Sequence, residues 1–362
     1  MPSPRTRLSR LALFAAAGLS LSTPSAEAAN LYWDANGGAA GVGGTGAWDT
    51  TSAFWSSSAA GLDAAAVGTF TSSEVAYFAG NSGVVTLAAP VTIGGLVFVS
   101  DGYRLDGAEL TLATVDPQVA PEIFVGRALQ AEFGLGLAGA DGFTKTGGGS
   151  LRLTAASNYA GLTTIADGVL VITRADALGA DPSAVTILGS ATRGQPGGQL
   201  VLAGGVDFAR DISLQGQGPI ADRSATLRSV GDNVLSGALA GAVGLMNNRI
   251  ISDGGLLEIA GSLDIAGNAG SQFVTLGGIN AKGNGNYLFS GVLTGNGSFN
   301  KDSSGTLLMR PSDTSGFTGV IRATGGSIRV ESLDVLGTRT SGVNAGVLDM
   351  NGGIVEFRLD DP

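Results

Sequence analysis

Residues 143–179 read FTKTGGGSLRLTAASNYAGLTTIADGVLVITRADALG, a run of short apolar segments separated by turn residues. The stretch begins with a turn, continues as three short strands with turns between them, and ends in a loop that closes on Leu178-Gly179. Residues 299–337, FNKDSSGTLLMRPSDTSGFTGVIRATGGSIRVESLDVLG, repeat the same order of features. A chain that repeats a unit of short strands is predicted to stack coils along an axis and not to close a globule.

The two copies correspond at aromatic, basic and aliphatic positions as well as at glycines. The matched pairs are Phe143 and Phe299, Lys145 and Lys301, Gly149 and Gly305, Leu151 and Leu307, Gly161 and Gly319, Gly168 and Gly326, Asp176 and Asp334, Leu178 and Leu336, and Gly179 and Gly337. A two-residue insertion near Asn158 accounts for the shift between them, and 136–146 also resembles 292–302. The alternative is chance similarity between glycine-rich stretches, which would not keep Phe, Lys and Leu in order.

The composition favours many short strands over helices. Of 362 residues, 60 are Gly and only 14% are charged, while the mean hydropathy is +0.28. Positive hydropathy with patterned apolar residues indicates a buried core, and abundant Gly indicates many tight turns. The sequence contains neither Cys nor His. Disulfide bonds, a Ser-His-Asp triad and a usual zinc site are therefore excluded, whereas carboxylate chemistry is not.

Residues 1–28 are predicted to be a secretory signal peptide. A positive segment with three Arg precedes the apolar residues 11–21, and Ala26-Glu27-Ala28 fits the small-x-small cleavage rule. The alternative is an uncleaved membrane anchor, for which the apolar segment is short. The mature chain, from about Ala29, carries 17 Lys and Arg against 29 Asp and Glu, a net charge of −12. Such an acidic surface disfavours nucleic acid as a partner.

Residues 29–80 are predicted to be an N-terminal cap region. They hold all three Trp of the chain, Trp33, Trp48 and Trp55. The first coil of a solenoid exposes an open core end and unpaired strand edges, which large aromatic side chains can close. The alternative is that exposed Trp faces stack on sugars.

Residues 81–362 are predicted to form the solenoid itself. Runs of three to five residues rich in β-branched types follow one another, with slightly longer strands predicted at 234–239 and 287–293 and excursion loops at 116–121 and 193–198. A coil of roughly 20–25 residues adds about 4.8 Å, so about 300 residues would give on the order of a dozen rungs and a rod of about 60 Å.

Within the repeat, the inward and corner positions can be assigned from the pattern. Leu151, Leu153, Ile165, Leu170 and Ile172 are predicted to form aliphatic columns along the axis, and Gly147–Gly149 with Gly168 are predicted to turn the corners.

The same residues resemble a known family. TKTGGGSLRL at 144–153, NYAGLTTIADGVLVI at 158–172 and ALG at 177–179 resemble the autotransporter-associated β-strand repeat, also called the passenger-associated transport repeat. WDANG at 33–37 with WDT at 48–50, and VTIGGLVF at 91–98, are similar to the N-terminal parts of such proteins. The resemblance implies an all-β, right-handed, single-stranded parallel β-helix: an exported passenger domain of a Gram-negative bacterium, normally followed by an outer-membrane barrel. The repeat motif implies no catalytic residues.

Acidic residues are the remaining candidates for chemistry. They are scattered through the second half of the chain, at Asp207, Asp211, Asp222, Asp232, Asp253, Glu258 and Asp264, with Arg210 beside Asp211. Polysaccharide lyases and hydrolases need clustered carboxylates, so a groove that joins Asp207, Asp211 and Asp232 would indicate an enzyme. Solvated turn charges are the alternative. GGTGAWD at 43–49 does not recur as a calcium-binding repeat, and no phosphate loop is present. No catalytic, cofactor-binding or metal-binding residue is assigned.

Three functions stay open at this point. The first is a secreted or surface-exposed structural or adhesive protein without enzymatic activity, and the second is a polysaccharide-acting lyase or hydrolase on the same scaffold. The third is a passive stalk for a functional part beyond Pro362, since the strand expected at 355–359 has no evident cap. The expected partners are an outer-membrane translocator barrel in cis, outside this chain, and a host surface or a second copy. No cofactor is expected.

Overall fold

The computed structural model describes residues 29–37, 39–63, 65, 70, 74–114, 119–179, 184–189, 197–219, 225–241, 248–265, 273–277, 284–332, 335 and 347–358. The predicted signal peptide, parts of the loops predicted at 116–121 and 193–198, and Asp222 and Asp334 lie outside these residues.

The described residues form short strands almost throughout. The first 18 are β1 (Ala29–Trp33), β2 (Gly46–Trp48), β3 (Trp55–Ser56), β4 (Glu74–Phe78), β5 (Val84–Leu87), β6 (Val91–Ile93), β7 (Gly95–Phe98), β8 (Tyr103–Gly107), β9 (Leu110–Leu112), β10 (Glu122–Val125), β11 (Gln130–Phe133), β12 (Leu137–Ala138), β13 (Phe143–Thr146), β14 (Ser150–Leu153), β15 (Thr163–Ile165), β16 (Gly168–Ile172), β17 (Val185–Leu188) and β18 (Gly198–Ala203). The remaining strands are β19 (Asp207–Phe208), β20 (Ile212–Gln215), β21 (Ala225–Val230), β22 (Asn233–Leu235), β23 (Leu239–Gly241), β24 (Asn248–Asp253), β25 (Leu256–Ile259), β26 (Leu263–Ile265), β27 (Phe273–Leu276), β28 (Asn286–Phe289), β29 (Leu293–Gly295), β30 (Ser298–Lys301), β31 (Thr306–Met309), β32 (Val320–Ala323), β33 (Ser327–Val330), β34 (Val347–Met350) and β35 (Ile354–Phe357).

The strands assemble into four parallel sheets that line the sides of a coil. A 12-stranded sheet has the order β29-β26-β23-β20-β17-β15-β13-β10-β7-β4-β1-β3, and a 13-stranded sheet has the order β2-β5-β8-β11-β14-β16-β18-β21-β24-β27-β30-β32-β34. The third side carries β12-β9-β6 in the N-terminal part and β19-β22-β25-β28-β31-β33-β35 in the C-terminal part. Every named strand pair is parallel except β1 with β3.

Where all three sides carry a strand, the chain visits them in one order: the 12-stranded sheet, the 13-stranded sheet, then the third side. From β13 to β17 the named strands alternate between the 12- and 13-stranded sheets, and from β30 to β35 between the 13- and 7-stranded sheets. This arrangement confirms the predicted parallel β-helix, and 13 stacked strands correspond to a rod of about 60 Å. Coil length is less uniform than expected. β13, β15 and β17 start at residues 143, 163 and 185, whereas β26 and β29 start at 263 and 293, so some coils exceed 25 residues.

Each copy of the repeat contains four strands, so the prediction of a three-strand unit was wrong. Residues 143–146 form β13, although the sequence pattern indicated a turn there. The prediction failed because Lys145, which is buried in the structure, interrupts the apolar pattern that would mark a strand. In the first copy, β13 pairs with β15 and β14 pairs with β16. One copy therefore supplies two sides of two consecutive coils.

The second copy is rotated by one side of the coil relative to the first. In the first copy the strand pairs belong to the 12-stranded and 13-stranded sheets, whereas in the second β30–β32 and β31–β33 belong to the 13-stranded and 7-stranded sheets. The interval between the copies is therefore not a whole number of coils.

Aliphatic columns fill the interior, as the pattern predicted. Leu151 lies between Ala131 of the preceding coil and Leu170 of the next, and all three are buried. Leu153, Ile165 and Ile172 are likewise buried. Burying an aliphatic side chain of this size contributes about 1.5–3 kcal/mol, so the stack gains stability coil by coil.

Glycines allow adjacent coils to approach closely at the corners. Gly147 and Gly168 have positive φ angles of 72° and 71°, which supports their predicted corner role. Other glycines are required by contact alone. A Cβ atom on Gly291 would lie 1.8 Å from the carbonyl oxygen of Gly261, and one on Gly261 would lie 1.9 Å from that of Gly237. A side chain at these positions would push the coils apart.

The three Trp side chains are buried at the N-terminal end of the stack. Trp33, Trp48 and Trp55 are 0–2% exposed, and Trp48 makes edge-to-face contacts with Trp55 and Phe70 at 4.7 and 4.9 Å between ring centroids. Buried rings have no face available to a sugar. The sugar-stacking alternative was therefore wrong, and the packing supports the cap.

Two strands predicted as single runs are each divided by a corner. The run at 234–239 contains β22 and β23, and the run at 287–293 contains β28 and β29. In both, the chain crosses from the 7-stranded to the 12-stranded sheet at Gly237 or Gly291.

Ala175–Leu178 form a short 3₁₀ helix. Among the described residues, no helix is long and apolar enough to cross a bilayer.

Candidate functional site

A polar groove of about 480 Å³ runs along the outer surface of the 13-stranded sheet. Its floor is one column of the sheet, in which successive register partners are Arg249, Thr275, Asn300, Arg322 and Asp349. These residues are each separated by a full coil of sequence. We call this column, together with its flanking Asp302, Thr324 and Asn351, the outer groove.

The charges of the outer groove are held in place by the coils around them. Arg249 is 8% exposed, and its Nη1 donates to the carbonyl oxygen of Gly277 at 3.1 Å and to Oδ2 of Asp302 at 3.4 Å. Arg322 donates from Nε to Oδ2 of Asp349 at 2.7 Å. The groove thus presents fixed guanidinium, carboxylate and amide groups, which suit hydrogen-bonding recognition of a polar partner.

A second depression, of about 400 Å³, lies on the same sheet nearer the N terminus. Its floor is the column Val84, Arg104, Glu132, Arg152 and Val171. Arg104 donates to Asp106 and Glu132, and Arg152 lies 3.9 Å from Glu132. The pKa of Arg104 is raised above its ordinary value, chiefly by its hydrogen bond to Asp106. The ion pairs link consecutive coils across the surface.

The carboxylates considered as catalytic candidates do not form one cluster. Asp207 accepts a hydrogen bond from Oγ of Ser236 at 2.7 Å, and Asp211 accepts one from the backbone N–H of Ala238 at 2.8 Å. Asp232 accepts one from the backbone N–H of Leu256 at 2.7 Å. Each carboxylate therefore binds the following coil at its own corner, as expected for structural turn charges.

The other acidic candidates within the described residues also bind an adjacent coil. Glu258 accepts from Oγ of Ser290 at 2.6 Å, Asp264 accepts from Oγ1 of Thr294 at 3.1 Å, and Asp253 pairs with Arg228. Arg210 is nearly buried and donates to the carbonyl oxygen of Leu178 in an earlier coil. Within the part of the chain that the structure describes, no three His, Cys, Asp or Glu side chains are grouped so as to hold a metal ion.

The repeated lysines are interior residues. Lys145 is fully buried, and its Nζ donates to the carbonyl oxygens of Thr146, Gly147 and Asp167 at 2.7, 2.8 and 3.1 Å. Lys301 is also fully buried and donates to the carbonyl oxygen and Oγ of Ser303 at 2.7 and 2.8 Å. Burial lowers the pKa of both ammonium groups to about 8. Both lysines hold corner carbonyls in place, so their recurrence is explained by the coil.

Sequence analysis did not identify the outer groove. Its residues belong to five separate coils, and uneven coil lengths hide the register that brings them together. The feature of the sequence that could have indicated the groove is the presence of polar residues, such as Arg249, Asn300 and Arg322, inside otherwise apolar strands.

Known proteins give a consistent comparison. Residues 143–172 match the family model described as Passenger-associated-transport-repeat. The chain is also 30% identical over 305 residues to a protein named Adhesin BmaC autotransporter, from Brucella suis biovar 1 (strain 1330). That alignment covers 79% of this chain but only 9% of the Brucella protein, so the chain spans a small part of the length of that relative. No solved structure matches the chain.

Proposed function

We propose that the chain, of which residues 143–172 match the passenger-associated transport repeat, is an exported, surface-exposed adhesive passenger of a Gram-negative bacterium. In this proposal the β-helix is a rod that holds its outer faces away from the cell. A translocator barrel, encoded in cis and outside these residues, delivers the rod to the surface, and no enzymatic step is assigned to it.

The observation that carries the proposal is the alignment with an autotransporter adhesin over 79% of the chain. The geometry agrees with it in two ways. Asp207, Asp211 and Asp232 each bind the next coil, and the lysines that recur with the repeat are buried. These groups therefore stabilise the rod. In our proposal the function of the rod lies in the contacts that its outer faces make with a partner.

The outer groove is the part of the rod that we assign to contact with a partner. It combines two guanidinium groups with carboxylate, amide and hydroxyl groups along one straight column. Such groups recognise a polar surface by directed hydrogen bonds, and Arg is enriched at protein interfaces. A host-cell surface and a second copy of the rod are the two candidate partners.

Adhesion can be measured with beads coated with the full chain, applied to cultured epithelial monolayers and to beads of the same kind. Binding to either target supports adhesion, and a several-fold loss with Arg322→Gln would assign it to the outer groove. Arg310→Gln is the matched control, because Arg310 forms its ion pair with Glu331 next to the 7-stranded sheet. Beads that bind neither target would overturn the adhesive proposal and favour a passive stalk.

A further inference from the structure

Four Asn residues of the chain are followed directly by Gly: Asn36, Asn284, Asn296 and Asn351. In such a pair the backbone nitrogen of Gly can attack the side-chain amide of Asn, because a residue without a side chain leaves the approach open. The attack requires an exposed Asn, a Gly N–H that makes no hydrogen bond, and room for a five-membered ring. All four Asn residues are exposed, so the backbone and side-chain contacts of each pair decide.

Two of the pairs have the attacking nitrogen engaged. The N–H of Gly285 donates to the carbonyl oxygen of Ser252 at 3.1 Å, and the N–H of Gly297 donates to the carbonyl oxygen of Ile265 at 2.9 Å. Gly285 is also closely packed, since an added Cβ atom would lie 2.1 Å from Oγ of Ser252. Both nitrogens hold an earlier coil and are therefore not available for the attack.

In the pair at Asn36 the leaving group is engaged. Its Nδ2 donates to the carbonyl oxygen of Gly41 at 2.8 Å. The amide nitrogen, which must depart in the reaction, is thus held by a hydrogen bond. The local structure therefore opposes the reaction at this pair as well.

The pair at Asn351 meets all three requirements. It lies in the bend between β34 and β35, where the N–H groups of Asn351 and Gly353 both donate to the carbonyl oxygen of Ala323, at 2.9 and 3.2 Å. Among the described residues, neither the N–H of Gly352 nor the side chain of Asn351 makes a hydrogen bond. Gly352 has a φ of 94°, and the nearest heavy atom to an added Cβ, apart from its chain neighbours, is the carbonyl oxygen of Thr324 at 3.4 Å. The ring therefore has room to form.

We propose that Asn351 is a site of spontaneous deamidation. The nitrogen of Gly352 loses its proton to solvent and forms a bond with Cγ of Asn351, while Nδ2 takes up a proton and leaves as ammonia. The resulting succinimide takes up one water molecule and opens at either carbonyl group, which gives aspartate or isoaspartate. The reaction needs no oxidant, reductant or enzyme, and residue 351 gains one negative charge.

The new charge falls in the outer groove, which Asn351 flanks. Two guanidinium groups, of Arg249 and Arg322, are balanced there by the carboxylates of Asp302 and Asp349. Deamidation leaves the groove with one carboxylate in excess, and isoaspartate also lengthens the backbone at this corner by one methylene group. An effect on partner binding rests on the proposed function, whereas the reaction itself does not.

Peptide mapping of the full chain by mass spectrometry tests the site. The folded chain is incubated in mildly alkaline buffer and sampled over weeks, and fragmentation assigns each amide-to-acid mass increase to its residue. We expect conversion at Asn351 to be at least about tenfold faster than at Asn284 or Asn296, the factor that corresponds to one lost hydrogen bond. The aspartate and isoaspartate products should separate by reversed-phase chromatography.

The same chain unfolded in urea is the matched control, because all four pairs should then react at similar rates. Asn351→Gln should stop the conversion at residue 351 and leave the other three rates unchanged, since glutamine forms the larger ring slowly. Equal rates at the four pairs of the folded chain, or a slower rate at Asn351, would overturn the proposal. A preference for Asn351 that persisted in urea would also overturn it, since local sequence and not the fold would then be the cause.

Discussion

Lys145 stacks directly on Ile123 in the inward column of the 12-stranded sheet, although one side chain ends in an ammonium group and the other is a hydrocarbon. The aliphatic part of the lysine occupies the column, and its Nζ reaches the corner carbonyl oxygens of Thr146 and Gly147. Lys301 occupies the corresponding place in the second copy, where its Nζ also lies 5.6 Å from the centroid of the Tyr287 ring.

The buried lysines make stability depend on pH. Burial lowers the pKa of Lys145 and Lys301 from 10.5 to about 8. Between these values the unfolded chain binds more protons than the folded chain, so the free energy of unfolding rises with pH. We expect a gain of about 2–3 kcal/mol per lysine between pH 8 and 10, measured by denaturant unfolding. Lys145→Met should remove about half of the rise.

The buried tyrosines set the upper limit of this window. Burial raises the pKa of Tyr159 and Tyr287 from 10.0 to about 12, so the unfolded chain loses these protons first and stability falls above about pH 10. Ile123→Met is the control for Lys145→Met, since it changes the same inward column without a titrating group. If the free energy of unfolding of the unaltered chain did not change between pH 8 and 10, the prediction for the lysines would be contradicted.

Corner glycines should separate the effect of contact from the effect of backbone conformation. Gly291→Ala places a methyl group 1.8 Å from the carbonyl oxygen of Gly261, whereas Gly254 has a φ of 72° and nothing within 4 Å of an added Cβ. Gly254→Ala should cost about 1–2 kcal/mol, the expense of a left-handed residue. Gly291→Ala should cost more, because two coils must separate. The urea midpoints of the two variants test this expectation. Equal midpoints would show that the coils at Gly291 accommodate the methyl group without a further loss of stability.

Tryptophan fluorescence should report on the cap alone, since all three Trp lie within residues 29–80. We expect blue-shifted emission that iodide does not quench and that added oligosaccharides leave unchanged, because the rings are buried. Trp48→Ala should cost about 3–5 kcal/mol and lower the first transition in thermal unfolding. Phe124→Ala, on an outward ring of β10, is the control. Quenching by iodide as in free tryptophan would contradict the buried cap.

Removal of whole coils should be tolerated where removal of partial coils is not. Phe143 and Thr163 are register partners, so deletion of residues 143–162 removes one complete coil and brings β15 onto β10 in phase. The shortened chain should keep its β-sheet circular dichroism and unfold cooperatively with a modest loss of stability. Deletion of residues 148–157 leaves the remaining strands out of phase and should prevent folding. Similar behaviour of the two deletions would contradict independent stacking of coils.

The repetition and the inward columns were predictable because both rest on local patterns. Alternation along four residues identifies strands such as β14, and the matched copies identify a stack. β13 was missed because a buried lysine resembles a surface residue when only its type is known. The division of 234–239 was missed because Gly237 turns the corner through close contact with Arg210, which depends on another coil.

Sites on this fold are harder to predict than the fold itself. The outer groove requires the register between five coils of unequal length, and no local rule supplies that register. The partners of Asp207 and Asp232 likewise lie one coil away, so their spacing in sequence could not tell structural charges from a catalytic cluster.

The rotation between the two copies of the repeat bears on how such rods lengthen. A unit that supplies two of three sides can be spliced in at any corner, because the neighbouring coil needs only a partner in phase, whichever side that partner occupies. The rod can therefore lengthen without fixing the side of the coil on which the added copy lies. Loops of successive insertions can point in different directions around the axis, so each added copy both lengthens the rod and places its loops on a new side.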